Sequence, residues 1–163
     1  MAVEDKYVNS DVVAGKKGKA ARVSGDEERV MVATVEIAAA DDDGSKYRMF
    51  KAVPSNFIPT EITITCDTIT GGTDYELGIY KTNLGAVISK GLFMTNQTLA
   101  TALTRATGHQ LGLAAVDIAN VYKTMGELSG QTVADPAYDI VLTADTVGTA
   151  AGTVTVIAKF VQG

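Results

Sequence analysis

The sequence predicts a mainly β protein: an antiparallel β-sandwich or jelly roll with one or two short helices and an extended N-terminal arm. Three observations carry this. The 163 residues include 22 Ala, 20 Thr, 18 Val and 16 Gly. Val and Thr suit half-buried pleated surfaces because their χ1 is stiff, and Gly supplies turns. Apolar and polar residues alternate in several short runs, which is the period of a strand. Those runs recur at regular spacing with turn residues between them, the pattern of a sandwich or jelly roll. The length suits one domain, with a core that needs no metal or disulfide.

Residues 1–29 differ from the rest. They hold six of the fourteen Lys and Arg residues and six acids, so residues 30–163 carry the whole net charge of −5. Gly15-Lys16-Lys17-Gly18-Lys19-Ala20-Ala21-Arg22 is basic and poor in large apolar residues. Such a stretch buries too little to offset its ordering entropy. We read 1–29 as an extended arm and 30–163 as the β domain.

The elements follow in order. Val30, Val32 and Thr34 alternate with Met31, Ala33, Val35 and Ile37, which gives a first strand apolar on both faces. Asp41-Asp42-Asp43-Gly44 is a turn by composition. Tyr47–Val53 returns as a strand, and Pro54 and Pro59 bound an extended joint. Thr60–Thr68 alternates most clearly, with Ile62, Ile64 and Cys66 on one face. After Gly71-Gly72, Asp74–Tyr80 sets Tyr75, Leu77 and Ile79 against Asp74, Glu76 and Gly78. Ala86–Phe93 is a further strand. Period-two order then stops. Val121, Met125 and Leu128 have helical spacing with Gly130 as a stop, so a helix is expected over Ile118–Leu128 and a short helical turn at Thr98–Leu103. Tyr138–Ala144 and Thr153–Val161 close the chain as strands.

The inventory excludes much chemistry. One Cys and one His rule out disulfide frameworks, Cys-based zinc modules and His-rich metal sites. No Trp and ten Tyr plus Phe leave little surface for stacking bases or sugars. The acidic balance argues against dedicated nucleic-acid binding. No run is long and apolar enough for a membrane span, and the charged start lacks a secretory h-region. His109 falls in a loop with no nucleophile motif beside it. Asp41–Asp43 fails the calcium-loop pattern because Ala52 stands at the twelfth position. Gly15 and Gly18 are wrongly spaced for a phosphate loop, and Ala20 replaces its Ser or Thr. Asn96-Gln97-Thr98 is a chance sequon in a chain without a secretory signal. Asp74 and Glu76 share a strand face and read as solvated, and Cys66 reads as a small core residue. No catalytic residue, metal ligand or cofactor-binding residue is therefore expected, and the protein is expected not to be an enzyme. Lys16, Lys17, Lys19 and Arg22 are the partner-binding candidates, with a plain tail as the competing reading.

Several of these runs together resemble a known group. They are Asp43–Phe50, Val53–Pro59, Ile62-Thr63-Ile64, Asp74–Tyr80, Val121–Leu128, Tyr138–Thr143 and Gly152–Val156. Their order resembles small virion structural proteins of tailed bacteriophages, of the capsid decoration or cement type, over about residues 28–161. The resemblance implies a subunit that binds the outer face of an assembled capsid, with the major capsid protein as partner. It also implies a homo-oligomer, a virion location after assembly in the host cytoplasm, and no cofactor. A second reading is a head- or tail-fibre module that binds a receptor or glycan. That reading needs an exposed aromatic pocket, with Tyr75, Tyr80 or Tyr138 as its lining.

Overall fold

The computed structural model describes residues 28–83, 85–107, 120 and 123–163. Lys16, Lys17, Lys19, Arg22, His109 and most of the expected helix at 118–124 lie outside them. The strands are β1 (Arg29–Ile37), β2 (Ser45–Pro54), β3 (Phe57–Cys66), β4 (Thr73–Lys81), β5 (Val87–Gln97), β6 (Leu103–Thr107), β7 (Ala137–Thr146) and β8 (Gly152–Gln162). A single helical turn, α1 (Met125–Leu128), precedes β7.

Two four-stranded sheets form, in the orders β1-β8-β3-β6 and β2-β7-β4-β5. Every pairing is antiparallel. The first strand pairs with the last, β2 with β7, β3 with β6, and β4 with β5. This is one long antiparallel hairpin rolled into two sheets, which is the jelly roll among the expected architectures.

The period-two pattern sets the core. In β8 the buried residues are Val154, Val156, Ala158 and Phe160, while Thr153, Thr155, Ile157 and Lys159 alternate outward. From the facing sheet Tyr75, Leu77 and Ile79 of β4 meet Ile140 and Leu142 of β7, all buried. Cys66 lies in the same core, and burial pushes its thiol pKa up. Turn residues close one end of the sandwich: Ile69, Leu99 and Val147 are buried there.

Three expectations are corrected. Thr98–Leu103 forms no helical turn. The Leu99 amide donates to the Gly72 carbonyl (3.0 Å) and the Leu99 carbonyl accepts from Ile69 (2.8 Å), so this backbone is committed to closing the core. Leu103–Thr107, expected to lack strand order, is β6 and pairs with β3. The helix is not continuous to Leu128: Thr124 is extended (ψ 163°) and caps the turn Met125–Leu128, while the expected start at Ile118 lies outside the described residues. Thr124 Oγ1 accepts from the Glu127 amide (3.3 Å) and Glu127 Oε2 accepts from the Thr124 amide (2.8 Å), a reciprocal box. Gly130 ends it as expected, at φ +67°. In addition, β5 runs on to Gln97, beyond the expected Phe93.

β5 also contains the largest irregularity in either sheet. The β4–β5 register jumps from Leu77↔Met94 to Ile79↔Ser89, so Lys90 through Phe93 oppose Gly78 alone. The bulge folds the β5 backbone over Gly78, where a Cβ would overlap the carbonyl oxygens of Ser89 and Lys90. Gly78→Ala is therefore expected to cost about 3 kcal/mol through overpacking against backbone. Gly130→Ala, where a Cβ meets open space, is expected to cost about 1 kcal/mol for its left-handed backbone. Urea unfolding of the two variants checks the difference.

Candidate interaction surface

The two sheets treat their outer faces differently. On the β2-β7-β4-β5 sheet, the outward residues Asp139, Val141 and Thr143 of β7 are buried, at 0%, 0% and 2% exposure. Side chains of the same sheet contact Thr143 and Asp139. Tyr80 hydrogen-bonds through its hydroxyl to Thr143 Oγ1 (2.8 Å), and the Lys46 ammonium lies 5.5 Å from its ring centre. Arg48 reaches Asp139 at 3.4 Å. Asp139 Oδ1 also accepts the amide of Ala52 (2.8 Å), which holds the β2 bulge where Ala52 sits at φ +51°. Lys90, carried outward by the β5 bulge, pairs with Asp145 (2.6 Å) and Glu76 (3.0 Å). Hydrogen bonds to Asp145 first and Glu76 second push the Lys90 pKa up to about 12. Long side chains lying flat with their charged heads in water seal this face.

The β1-β8-β3-β6 sheet is open on its outer side at β1, whereas the outward Thr63 of β3 is buried. Val30 and Val32 of β1 are 55% and 63% exposed. Ile157 of β8 lies in register between Val32 and Thr63 and is half-buried. Around this apolar strip the pairs are small and polar. Thr34 and Thr155 hydroxyls meet at 2.9 Å, and Thr153 Oγ1 donates to Glu36 (2.9 Å). Lys159 pairs with Glu61 at 2.7 Å, and its hydrogen bond holds the Glu61 carboxyl below its ordinary range. Val30, Val32, Thr63 and Ile157 form a shallow groove with Glu61, Lys159 and Arg105 at its rim. A second groove, lined by Arg29, Met31, Val53 and Phe57, opens at the mouth between β1 and the end of β2. The Arg29 guanidinium lies 5.3 Å from the Phe57 ring there. The described chain begins at Glu28, so residues 1–27 join the domain at this face.

The residues singled out in the sequence can now be placed. A first strand apolar on both faces is what β1 shows. The tyrosines expected to line an exposed pocket are corrected: Tyr75, Tyr80 and Tyr138 are 0%, 1% and 0% exposed. Each ring is buried because its hydroxyl finds a partner indoors. Tyr75 donates to the Val147 carbonyl (2.8 Å), and burial raises its pKa to about 12. Tyr138 donates to Gln131 Oε1 (2.8 Å) and accepts from the Asp135 amide (3.0 Å). The solvated carboxylate face is corrected in part. Asp74 is exposed, but the Glu76 side chain is only 15% exposed beneath Lys90. The triple-Asp turn works as a turn: Asp41 accepts from Tyr47 Oη (2.7 Å) and the Ala38 amide (3.0 Å), and Asp43 from the Val147 amide (2.9 Å). The Tyr47 hydrogen bond holds the Asp41 carboxyl below its usual range. Sequence reasoning missed the Lys90–Glu76–Asp145 cluster and the role of Asp139. The signal that could have led there was an isolated Gly78 inside a strand pattern, which marks a bulge or close approach.

No protein-family model matches the chain, and no curated protein matches it. Two solved structures do. A chain of the cyanophage Pam1 capsid asymmetric unit superimposes with a TM-score of 0.55 at 16% identity, over 86% of this chain and 88% of that one. A chain of the capsid of Ralstonia phage GP4 superimposes at 0.60 and 13% identity, with the same coverage. At these identities the likeness is one of fold.

Two outcomes follow from the unequal faces. Val30→Ser with Val32→Ser is expected to change stability by about 0.5 kcal/mol or less per site, since both side chains already face water. Val141→Ser, equally outward but fully covered, is expected to cost about 2 kcal/mol for an unpartnered buried hydroxyl and lost packing. Urea titration at neutral pH compares them. Lys90→Met is expected to cost at most about 1 kcal/mol at pH 7, because the ammonium is 39% exposed and screened. The deficit shrinks as pH rises through about 12, where Lys90 of the parent loses its proton. Melting temperatures of parent and variant across pH read this.

Proposed function

We propose that this chain is a non-enzymatic virion structural protein of a tailed phage that binds the outer surface of an assembled capsid and reinforces it. The observation that carries the reading is the superposition of 86% of the chain on chains of two phage capsids. The open face at the root of the N-terminal segment supports it. A subunit that works by docking needs an uncovered surface, and this one displays Val30 and Val32 beside the point where residues 1–27 join. The partner is the major capsid protein, and the chain acts as a homo-oligomer on the capsid lattice. Lys16, Lys17, Lys19 and Arg22 make the contact together with β1. Many copies on one lattice add by multivalency, so each contact is modest. The receptor or glycan reading loses its three candidate tyrosines, all of which are buried.

Particle binding tests this. Purified particles should carry hundreds of copies of the chain. Deletion of residues 2–24 should leave a domain with the parent's melting transition that no longer binds particles. A charge reversal of Lys16, Lys17, Lys19 and Arg22 to Glu should weaken binding, and added salt should weaken the parent in the same direction. A handful of copies per particle points to a tail or fibre. Unchanged occupancy after the deletion removes the arm from the contact.

A further inference from the structure

The outer row of β1 is apolar in the middle and acidic at both ends. By the register with β8, Val30, Val32, Thr34 and Glu36 lie on it beside Lys159, Ile157, Thr155 and Thr153. Glu28, two residues ahead of Val30, has the same parity, and its carboxylate reaches across β8 to the Thr60 hydroxyl (3.2 Å). Arg29 has the opposite parity and lies over Phe57, off this row. Beyond Glu36, the turns 38–44, 67–72, 98–102 and 147–151 share one end of the sandwich. They hold Asp41, Asp42, Asp43 and Asp67 and no Lys or Arg. The bases of this face, Lys159 and Arg105, stand with Glu61 on the far side of the apolar strip. The chain outside the described residues has the reciprocal pattern. Residues 1–27 join the domain at the start of this row. Read back from Glu28, Asp26-Gly25-Ser24 is a turn by composition, followed by Arg22, Ala21-Ala20, Lys19 and Lys17-Lys16. Bases bracket small residues in the segment where acids bracket valines in the row.

We propose that the occupant of this outer face in the free protein is the chain's own segment Lys16–Arg22, folded back over β1 and β8. A reversal at 24–27 sets Val23 level with Glu28, Ala21 level with Val30 and Lys17 level with Thr34. Arg22 then stands beside the Glu28 carboxylate. Ala20, Ala21 and the aliphatic stem of Lys19 lie over Val30, Val32 and Ile157. Lys16 and Lys17 reach Glu36 and the aspartates of the following turn. The segment buries too little to hold this place as a separate peptide. Its tether supplies it at an effective concentration of about millimolar, so an intrinsic Kd of that order half-closes the face. The contact is local, and global unfolding hardly reads it. It gives the four basic residues a role ahead of any docking: they keep the apolar strip covered in solution, and a competing acidic surface that takes them uncovers it. The contact forms in the chain alone and rests on the capsid reading for nothing.

The experiment reads thiol reactivity in the full chain in solution, without particles. Val32→Cys places a thiol on the strip, and Cys66 is buried and stays out of the reaction. At low salt a water-soluble thiol reagent should modify the introduced thiol about threefold more slowly in the full chain than after deletion of residues 2–24. Salt at about 0.5 M, or reversal of Lys16, Lys17, Lys19 and Arg22 to Glu, should bring the full chain up to the rate of the deletion. Val133→Cys, at an 81% exposed loop position, is the control and should react at one rate throughout. The protection should be constant from about 1 to 100 µM chain, because a contact within one chain does not follow mass action. Protection that grows with concentration assigns the face to a second copy and overturns the proposal. So do equal rates with and without residues 2–24, and so does protection that salt and charge reversal both leave intact. Val30→Cys supplies the same reading if Val32→Cys fails to fold. Particles still coated by a chain in which Val32→Cys reacts at the unprotected rate remove this contact and leave the capsid reading standing.

Discussion

Each sheet is held by a strand that arrives late in the chain. β8 lies between β1 and β3, and β7 lies between β2 and β4. These two strands, joined by the short turn at Val147–Ala151, supply the centre of both sheets and a large share of the core. β1 and β2 therefore have no lateral partner in their own sheets until the last residues of the chain are in place. Pairing of the first strand with the last closes the longest loop in the molecule. That ordering makes the topology strongly non-local, the kind that folds slowly for its size. It also explains the unbroken alternation of β8, where one slipped residue would turn Val154, Val156, Ala158 and Phe160 out to water.

β7 and β8 hold equivalent central positions, and the difference between their outer faces separates scaffold from surface. Over β7, Asp139, Val141 and Thr143 have essentially no contact with water, and Tyr80 and Arg48 of the same sheet bond to Thr143 and Asp139. Over β8 the neighbours are Val30, Val32, Thr34 and small threonines, too short to lie across anything. The same architecture thus has one finished face and one open face. A buried carboxylate such as Asp139 is costly unless satisfied. Its bonds to Ala52 and Arg48 fix the bulge at the β2 edge, so the finished face is also the geometrically specified one.

How much of this is legible in the sequence follows from the same physics. Strands with one wet and one dry face announce themselves by alternation, and β3, β4 and β8 are legible for that reason. β6 is not, because five residues with a left-handed Arg105 have no room for a period. The open face is legible in β1, whose apolar residues occupy both parities. The tyrosines mislead because alternation assigns residues to faces without saying what covers a face. Tyr80 has the opposite parity to Tyr75, so it points away from the core, and it is buried there beside Lys46 and Thr143, distant in sequence. The spacing of Val121, Met125 and Leu128 does not show the break at Thr124, where the Thr-x-x-Glu box starts the final turn at Met125.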